Sequence, residues 1–119
     1  MTKLISLFLL IVSQFAFAAS CETKRDIFIE NDLTKVWKTT ICPQEKLPFH
    51  SHQYARVVIP EENGSLKVIY QSGKETIIKF EKKTPIFLSE AEGLEMHQDV
   101  NTGEEALHVT VIELKKAKA

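Results

Sequence analysis

The stretch Leu47–Ile59, LPFHSHQYARVVI, decides how the rest of this chain is interpreted. Pro48 marks a beginning, Pro60 marks an end, and Tyr54–Ile59 is rich in β-branched and aromatic residues, so the pattern predicts that the stretch is one strand. Because side chains alternate along a strand, His50 and His52 would point to the same face as Arg56, with the two imidazoles about 7 Å apart. Two imidazoles so placed are able to bind one metal ion, although the same pair also fits a solvent-exposed strand face.

Length and composition limit the classes of protein to consider. With 119 residues, 44% hydrophobic and 26% charged, the chain is sized for one globular domain with a hydrophobic core. Its formal net charge is −1, and the basic tail Lys115-Lys116-Ala117-Lys118 has no aromatic residues within it. The sequence therefore predicts no nucleic-acid partner.

The N-terminus has the pattern of a signal peptide. Lys3 provides a positive charge, Leu4–Val12 is mainly apolar, and Ala16-Phe17-Ala18 fits the small-x-small cleavage pattern. The apolar run is shorter than the roughly 20 residues that a transmembrane helix requires. We therefore expect a signal peptide over residues 1–18 and one mature domain over 19–119, periplasmic or secreted, with no transmembrane segment.

Export would place the two cysteines in an oxidising compartment, where disulfides form. Strand-like runs on both sides of Asn31-Asp32 predict a hairpin, and a two-residue loop there places Cys21 opposite Cys42. A disulfide between them would close a loop of about 20 residues. One alternative stays open, because Ala18-Ala19-Ser20-Cys21 loosely resembles a bacterial lipoprotein box, and lipidation of Cys21 would exclude the disulfide.

Short β signals separated by turns make up the rest of the chain. Besides the strand described above, the patterns predict strands over 26–29, 34–41, 66–70, 76–80, 85–88, 95–100 and 106–114. A helical period never extends beyond one turn in the mature chain. About eight strands with turns roughly every ten residues predict an all-β antiparallel sandwich or small barrel.

His97 is the third candidate metal ligand. On a strand it shares a face with Glu95 and Asp99, and a barrel could bring that strand against the His-x-His pair. Three imidazoles would then surround an ion and leave an open position for water or substrate. His108 alternates with apolar residues in the last strand and is interpreted as a wall or surface residue.

These motifs resemble those of the cupin superfamily, in particular its small single-domain bacterial members. The first cupin motif has a Gly, five residues, His-x-His, and a Glu three or four residues later; here Gln44 stands near the Gly position. Five residues match the two cupin motifs to within one residue of spacing: His50, His52, Gly93, His97 and Asn101. The resemblance covers essentially the whole mature chain. It implies an antiparallel cupin-like, RmlC-like jelly-roll β-barrel with a divalent metal ion at the three histidines.

The chain departs from the family pattern at the position of the metal-binding Glu, where it has Arg56, with Val57 as the alternative. A guanidinium stays protonated and cannot ligate a cation. The resemblance then implies a three-histidine site, as in some cupin-like enzymes including thiol dioxygenases, with Arg56 and Tyr54 binding a small carboxylate. The alternative is that Arg56 pairs with Glu95 or Asp99 inside a barrel that binds no metal.

Three functions stay open on this evidence. The first is an exported metal-binding cupin, holding iron, zinc, nickel, copper or manganese. Its catalytic form would be an oxygenase or isomerase-like enzyme acting on a small carboxylated molecule. The second is a metal-free module that binds a small anionic ligand. The third is a structural or partner-binding protein, such as a homodimer formed through a sheet face.

Overall fold

A computed structural model describes residues 20–116, so the predicted signal peptide lies outside the described residues. Eight strands and one 3₁₀ turn follow one another along the chain. They are β1 Lys24–Glu30, β2 Thr34–Ile41, β3 Arg56–Pro60, β4 Gly64–Tyr70, β5 Glu75–Phe80, β6 Ile86–Leu88, the 3₁₀ turn Ala91–Gly93, β7 His97–Val100 and β8 Leu107–Leu114. Every strand pairing is antiparallel, which confirms the predicted fold class.

The strands form two sheets that enclose one hydrophobic core. One sheet has the order β1-β2-β8-β3-β6 and the other has the order β5-β4-β7. Side chains alternate between buried and less buried positions along β3, β4 and β8, as expected for strands with one face toward a core. Both sheets contribute to the core: Trp37, Ile41, Val58, Leu66, Val68, Phe80, Leu107, Val109 and Val111. Within residues 20–116, no helix has the length and apolar character to span a bilayer.

The segment before β3 crosses from the smaller sheet to the larger one. His50 and His97 exchange two backbone hydrogen bonds of 2.9 Å, and the His52 amide donates to the Gly93 carbonyl at 2.7 Å. β3 itself begins only at Arg56, where it pairs with β8 and β6. The prediction that His50 and His52 occupy one face of the same strand as Arg56 is therefore wrong, because His50 bonds to β7 and His52 bonds to the 3₁₀ turn before β3 begins.

β1 and β2 form the predicted hairpin, but with a different turn and register. The Asn31 side-chain oxygen accepts hydrogen bonds from the amides of Leu33 and Thr34, at 2.9 and 3.0 Å. Three residues rather than two separate the strands at this Asx-type turn, and Glu30 pairs with Lys35 instead of facing Leu33. The polar side chain of Asn31 thus sets the loop length that the sequence pattern left undetermined.

A disulfide joins Cys21 to Cys42 beyond the end of this hairpin ladder. Their Cα atoms lie 5.8 Å apart, and 21 positions separate them in the sequence. The ladder also shifts register at a bulge between Ile27 and Ile29. The disulfide that the sequence predicted is therefore present, although the register used to predict it is wrong.

Replacing both cysteines by serine should lower the free energy of unfolding by about 3 kcal/mol, because the crosslink restricts an unfolded loop of this length. Urea unfolding followed by circular dichroism measures the effect. Wild-type protein reduced with dithiothreitol is the matched control and should unfold at the same midpoint as the double variant. Identical midpoints for the oxidised wild type and the double variant would contradict a stabilising role.

Candidate metal centre

Three histidines meet where the two sheets join. The crossing segment provides His50 and His52, and β7 begins with His97. Their ring centroids are 4.5 to 5.4 Å apart, and one ring nitrogen of each lies within 4.8 Å of the other two. Nitrogens bound to one tetrahedral ion at about 2.1 Å would be roughly 3.4 Å apart. Small ring rotations would therefore bring the three nitrogens onto one ion.

Backbone carbonyls orient two of these rings. The Nδ1 atom of His50 lies 2.8 Å from the Pro48 carbonyl, and that of His97 lies 2.7 Å from the Glu95 carbonyl. A carbonyl only accepts hydrogen bonds, so Nδ1 carries the proton in both rings and Nε2 is the nitrogen that a metal would use. Metal-binding histidines usually have such partners on the second nitrogen. The donor set therefore fits a divalent ion that accepts imidazole.

The protonation of His50 and His52 differs. Burial, together with the nearby charges of Arg56 and the other histidines, lowers the pKa of His52 to about 3. Burial also acts to lower the pKa of His50, but hydrogen bonds to Asp99 and to the Pro48 carbonyl outweigh it, so that pKa is raised. The Asp99 Oδ2 atom lies 3.3 Å from His50 Nε2. A metal ion would thus meet a neutral His52 and would have to displace a proton held between His50 and Asp99.

Arg56 is buried beside the histidines without a partner. Only 6% of the residue is exposed, and its Nη1 atom has no hydrogen-bond partner among residues 20–116. Burial lowers the pKa of this guanidinium, which nevertheless remains charged at neutral pH. The alternative pairing with Glu95 or Asp99 is not formed in this part of the chain, since Asp99 contacts His50 and Glu95 is exposed.

Gly93 makes this arrangement possible. A Cβ atom at this position would lie 2.7 Å from Arg56 Nη1 and 2.8 Å from the His52 Cβ. The second distance is the more restrictive, because His52 is held by its backbone hydrogen bond to Gly93. The close approach therefore requires glycine, which gives a structural reason for the residue that the cupin resemblance matched.

A cavity of about 410 Å³ lies between the sheets and includes this cluster in its wall. The three histidines, Arg56 and Asp99 provide polar groups, whereas aliphatic and aromatic core residues line much of the remaining wall. Tyr54, which the sequence paired with Arg56, instead lines a neighbouring groove with Arg25 and Lys35. The cavity and the groove share Arg25, Trp37, His50 and His52.

Other residues join the cavity wall through strand pairing, which the sequence did not indicate. Tyr70 pairs with His97 across β4 and β7, and their ring centroids are 5.9 Å apart. Trp37 stacks on His52 at 6.3 Å, and the Arg25 guanidinium lies 4.4 Å from the centre of the Trp37 ring. These side chains could be assigned to the site only once the order of the strands in the sheets was known.

His108 lies in a separate group with Glu61 and Glu62. Its Nδ1 atom is 3.1 Å from Glu62 Oε2, and the ring is partly exposed. This position agrees with the interpretation of His108 as a wall or surface residue. It also provides a histidine outside the cluster for control experiments.

Comparisons with known proteins identify the fold. No protein-family model and no curated protein matches the chain. Among solved structures, it is similar to a cupin domain from Bordetella pertussis, with 22% identity, a TM-score of 0.70, and coverage of 79% of this chain and 94% of that one. It is also similar to an RmlC-like cupin family protein with a double-stranded β-helix fold from Methanocaldococcus jannaschii, at 9% identity, TM-score 0.63, and coverage of 82% and 84%.

A third similar structure is the polyketide cyclase RemF from Streptomyces resistomycificus, at 18% identity, TM-score 0.56, and coverage of 80% of this chain and 66% of that one. At these identities the similarity concerns the fold and leaves the activity open. The chain therefore has the double-stranded β-helix fold of the cupin superfamily.

Proposed function

We propose that this protein is an exported cupin-fold protein that binds one divalent metal ion through His50, His52 and His97. The observation that carries the proposal is the convergence of the three imidazoles, with ligand nitrogens within 4.8 Å of one another. Imidazole binds iron, zinc, nickel, copper and manganese, so three histidines alone do not determine which of these ions is bound. A bound ion would supply Lewis-acid chemistry, or redox chemistry if it is iron or copper.

The protein's own groups would prepare this site in distinct ways. The carbonyls of Pro48 and Glu95 orient two rings through Nδ1, so that Nε2 of His97 is available and Nε2 of His50 becomes available once a metal displaces its contact with Asp99. Burial keeps His52 neutral. The enzymatic form of the proposal is an oxygenase or isomerase-like reaction on a small carboxylated molecule enclosed in the cavity.

A metal-free module that binds a small anionic ligand is the second candidate function. The unpartnered guanidinium of Arg56 in the cavity wall favours it. In this case the histidines would be polar wall residues. The metal content of the purified protein distinguishes the two candidates.

The proposal also includes export, with residues 1–18 as a signal peptide and 19–119 as the mature domain in the periplasm or outside the cell. The disulfide between Cys21 and Cys42 supports this, because the cytosol keeps most thiols reduced. The same disulfide argues against a lipid anchor on Cys21, since the lipid would occupy its sulfur.

A homodimer is part of the proposal as well. Phe28 and Ile29 on the edge strand β1, with Leu33 in the following turn, are between 48% and 63% exposed. Such an apolar edge favours association. β1 carries Lys24 at one end and Glu30 at the other, so an antiparallel approach of two copies would bring opposite charges together. We therefore propose a second copy of this chain as the occupant of this surface.

The metal proposal is tested by the double variant His50→Ala, His97→Ala, which should fold with near-normal stability in the metal-free form but lose stoichiometric metal. Each protein is freed of metal with EDTA, incubated with one ion at a time, desalted and measured by elemental analysis. His108→Ala is the matched control and should retain about one equivalent, as wild type does. Stoichiometric metal in the double variant would refute the ligand assignment.

The neutrality of His52 predicts a pH effect on the metal-free protein. Because its pKa is about 3 when folded and near 6.5 when unfolded, the unfolded chain takes up the proton first as the pH falls below 6.5, and stability is lost. Between pH 7 and pH 5, His52→Gln should therefore lose roughly 1 to 2 kcal/mol less free energy of unfolding than wild type, allowing for partial exposure. Urea unfolding in EDTA measures this difference, and parallel pH curves would contradict it.

Phe28→Lys should shift the protein from dimer to monomer, because it places a charge in the apolar surface at the β1 edge. Light scattering coupled to size-exclusion chromatography reports the mass. Phe87→Lys is the matched control, since Phe87 is 63% exposed on β6 at the opposite edge of the same sheet. A wild-type protein that is monomeric at high concentration would refute the homodimer.

A further inference from the structure

We infer that Asp99 is a fourth ligand of the candidate metal centre, a carboxylate supplied by β7 where the family pattern would supply a Glu from the position of Arg56. The inference rests on the proposed function in taking the three histidines as ligands. It adds an oxygen donor that neither the family pattern nor the three-histidine site includes, and it therefore changes the coordination number of the site.

The distance between Asp99 and His50 is the first argument. Asp99 Oδ2 lies 3.3 Å from His50 Nε2. Two donor atoms bound to one tetrahedral ion at about 2.1 Å are roughly 3.4 Å apart. A hydrogen bond between a cationic nitrogen and a carboxylate is usually shorter, about 2.7 to 2.9 Å. The two atoms therefore already have the separation of neighbouring metal ligands.

The chemistry of the two atoms requires a positive centre between them. Nδ1 of His50 donates its proton to the Pro48 carbonyl, so Nε2 of the neutral ring has a lone pair. The Asp99 oxygen that faces it is also an acceptor. Two acceptors repel each other at this distance unless a proton or a metal ion lies between them. A metal ion and a proton would compete for this place.

The Asp99 side chain is free to turn toward an ion. Its backbone is held, because the Asp99 carbonyl accepts a hydrogen bond from the Leu47 amide at 2.9 Å and Asp99 pairs with Val68 in β4. Within residues 20–116, the contact with His50 is the one polar contact that its carboxylate makes. A carboxylate on a fixed backbone with a single partner is able to follow the His50 ring onto an ion.

Strand geometry brings Asp99 to the cluster together with His97. Alternate residues of a strand share a face, and both side chains line the cavity. The nitrogens of the three histidines lie within 4.8 Å of one another, and Asp99 joins this set from the side of His50. Glu95 precedes His97 by the same two positions but is exposed. Asp99 is therefore the acidic residue of β7 that the fold turns toward the ion site.

A carboxylate ligand would also offset charge at the site. Three neutral imidazoles leave both charges of a divalent ion in place, and the buried Arg56 guanidinium adds a third. Asp99 would bring one negative charge into direct contact with the ion. A three-histidine site beside an arginine thus gains the anionic ligand that the substitution at Arg56 removed.

The fourth ligand determines what each ion would be able to do. Zinc bound by three histidines and Asp99 would have its usual four ligands, which is typical of a closed structural site. An ion that prefers six ligands, such as manganese, would keep two positions for water or a substrate. The identity of the loaded ion would therefore decide whether the centre is open to chemistry.

The test compares wild type with Asp99→Asn, which keeps the shape of the side chain but is neutral and a poor metal ligand. EDTA-treated, desalted protein is titrated with Co²⁺, whose visible absorption reports its ligands, and with Zn²⁺ in competition with a chromophoric chelator. Trp37, the only tryptophan in the chain, lies 6.3 Å from the His52 ring, so Co²⁺ at the cluster should quench its fluorescence.

Asp99→Asn should bind both ions at least about tenfold more weakly than wild type, because losing a direct ligand costs no less than losing an outer-shell partner. Its Co²⁺ spectrum should change as well, since one oxygen donor is lost. Asp99→Glu should recover part of the affinity, because it keeps the carboxylate. Metal-free thermal unfolding checks that each variant folds, and Asp99→Ala is a second variant without the ligand.

Glu92→Gln is the matched control. The Glu92 carboxylate lines the cavity and favours the charged form of Arg56, as the Asp99 carboxylate does. It is already bound by the Ser89 amide, which donates to Oε2 at 2.6 Å. This variant removes the same charge without removing a ligand. It should keep the wild-type affinity within about twofold, together with the wild-type Co²⁺ spectrum.

Three results would overturn the inference. The first is an unchanged affinity and Co²⁺ spectrum in Asp99→Asn. The second is tighter binding by Asp99→Asn, which would show that Asp99 holds a proton on His50 and competes with the ion. The third is an equal loss of affinity in Glu92→Gln, which would reduce the effect to charge alone.

The inference and the proposed function can fail separately. Metal that is lost in His50→Ala, His97→Ala but bound normally by Asp99→Asn would keep the three-histidine site and refute the fourth ligand. Metal that is retained by the histidine double variant but lost in Asp99→Asn would refute the three-histidine assignment and keep Asp99 as a ligand. A wild-type protein that takes up none of the ions would refute both.

Discussion

The candidate site depends on the pair of backbone hydrogen bonds between His50 and His97. These two bonds, each 2.9 Å long, attach the crossing segment to β7 and fix the Cα positions of two of the three histidines. A further bond from the Leu47 amide to the Asp99 carbonyl extends the attachment along β7. Since main-chain groups make these contacts, the histidine side chains can be substituted without removing these backbone hydrogen bonds.

Arg56 adds positive charge to the three-histidine site. Without this residue, the backbone arrangement would give a site suited to a cation. In the cupin pattern a Glu at this position would offset the charge of the ion, whereas here a buried guanidinium adds to it. Asp99 lies beside His50 and provides negative charge, but it does not bond to Arg56. The balance therefore weakens affinity for a bare cation and strengthens affinity for an anion.

Local sequence signals identified most strands but not the start of β3 or the hairpin register. The prediction of β2 as 34–41 matches Thr34–Ile41, and the predicted strands 66–70 and 76–80 lie within β4 and β5. Gly73, in the turn between β4 and β5, has a φ of +92°, a conformation that favours glycine. The start of β3 depends on bonds to His97 far along the chain, and the register depends on the Asn31 side chain. Neither interaction is encoded in a local pattern.

The candidate site could be predicted from the sequence only in part, for the same reason. The resemblance to cupins singled out the histidines that the structure brings together, although their role as metal ligands stays a prediction. The resemblance also singled out Arg56. Its predicted partner in ligand binding, Tyr54, instead lines the neighbouring groove, and the sequence alone did not reveal this position. Tyr70 reaches the cavity because β4 pairs with β7, a pairing that composition and spacing do not determine.

Two departures from the cupin pattern have different consequences. Gln44, near the position of a family glycine, adopts a φ of +65°, and its side-chain amide donates to the carbonyls of Thr102 and Gly103 at 3.0 and 2.8 Å. These bonds offset a backbone strain of about 1 kcal/mol, so the turn is kept with a different residue. At Arg56 no hydrogen bond to Nη1 offsets the substitution in the same way, because this atom lacks a partner within residues 20–116. The first departure preserves the fold, whereas the second leaves a buried guanidinium whose Nη1 atom has no partner in the described residues.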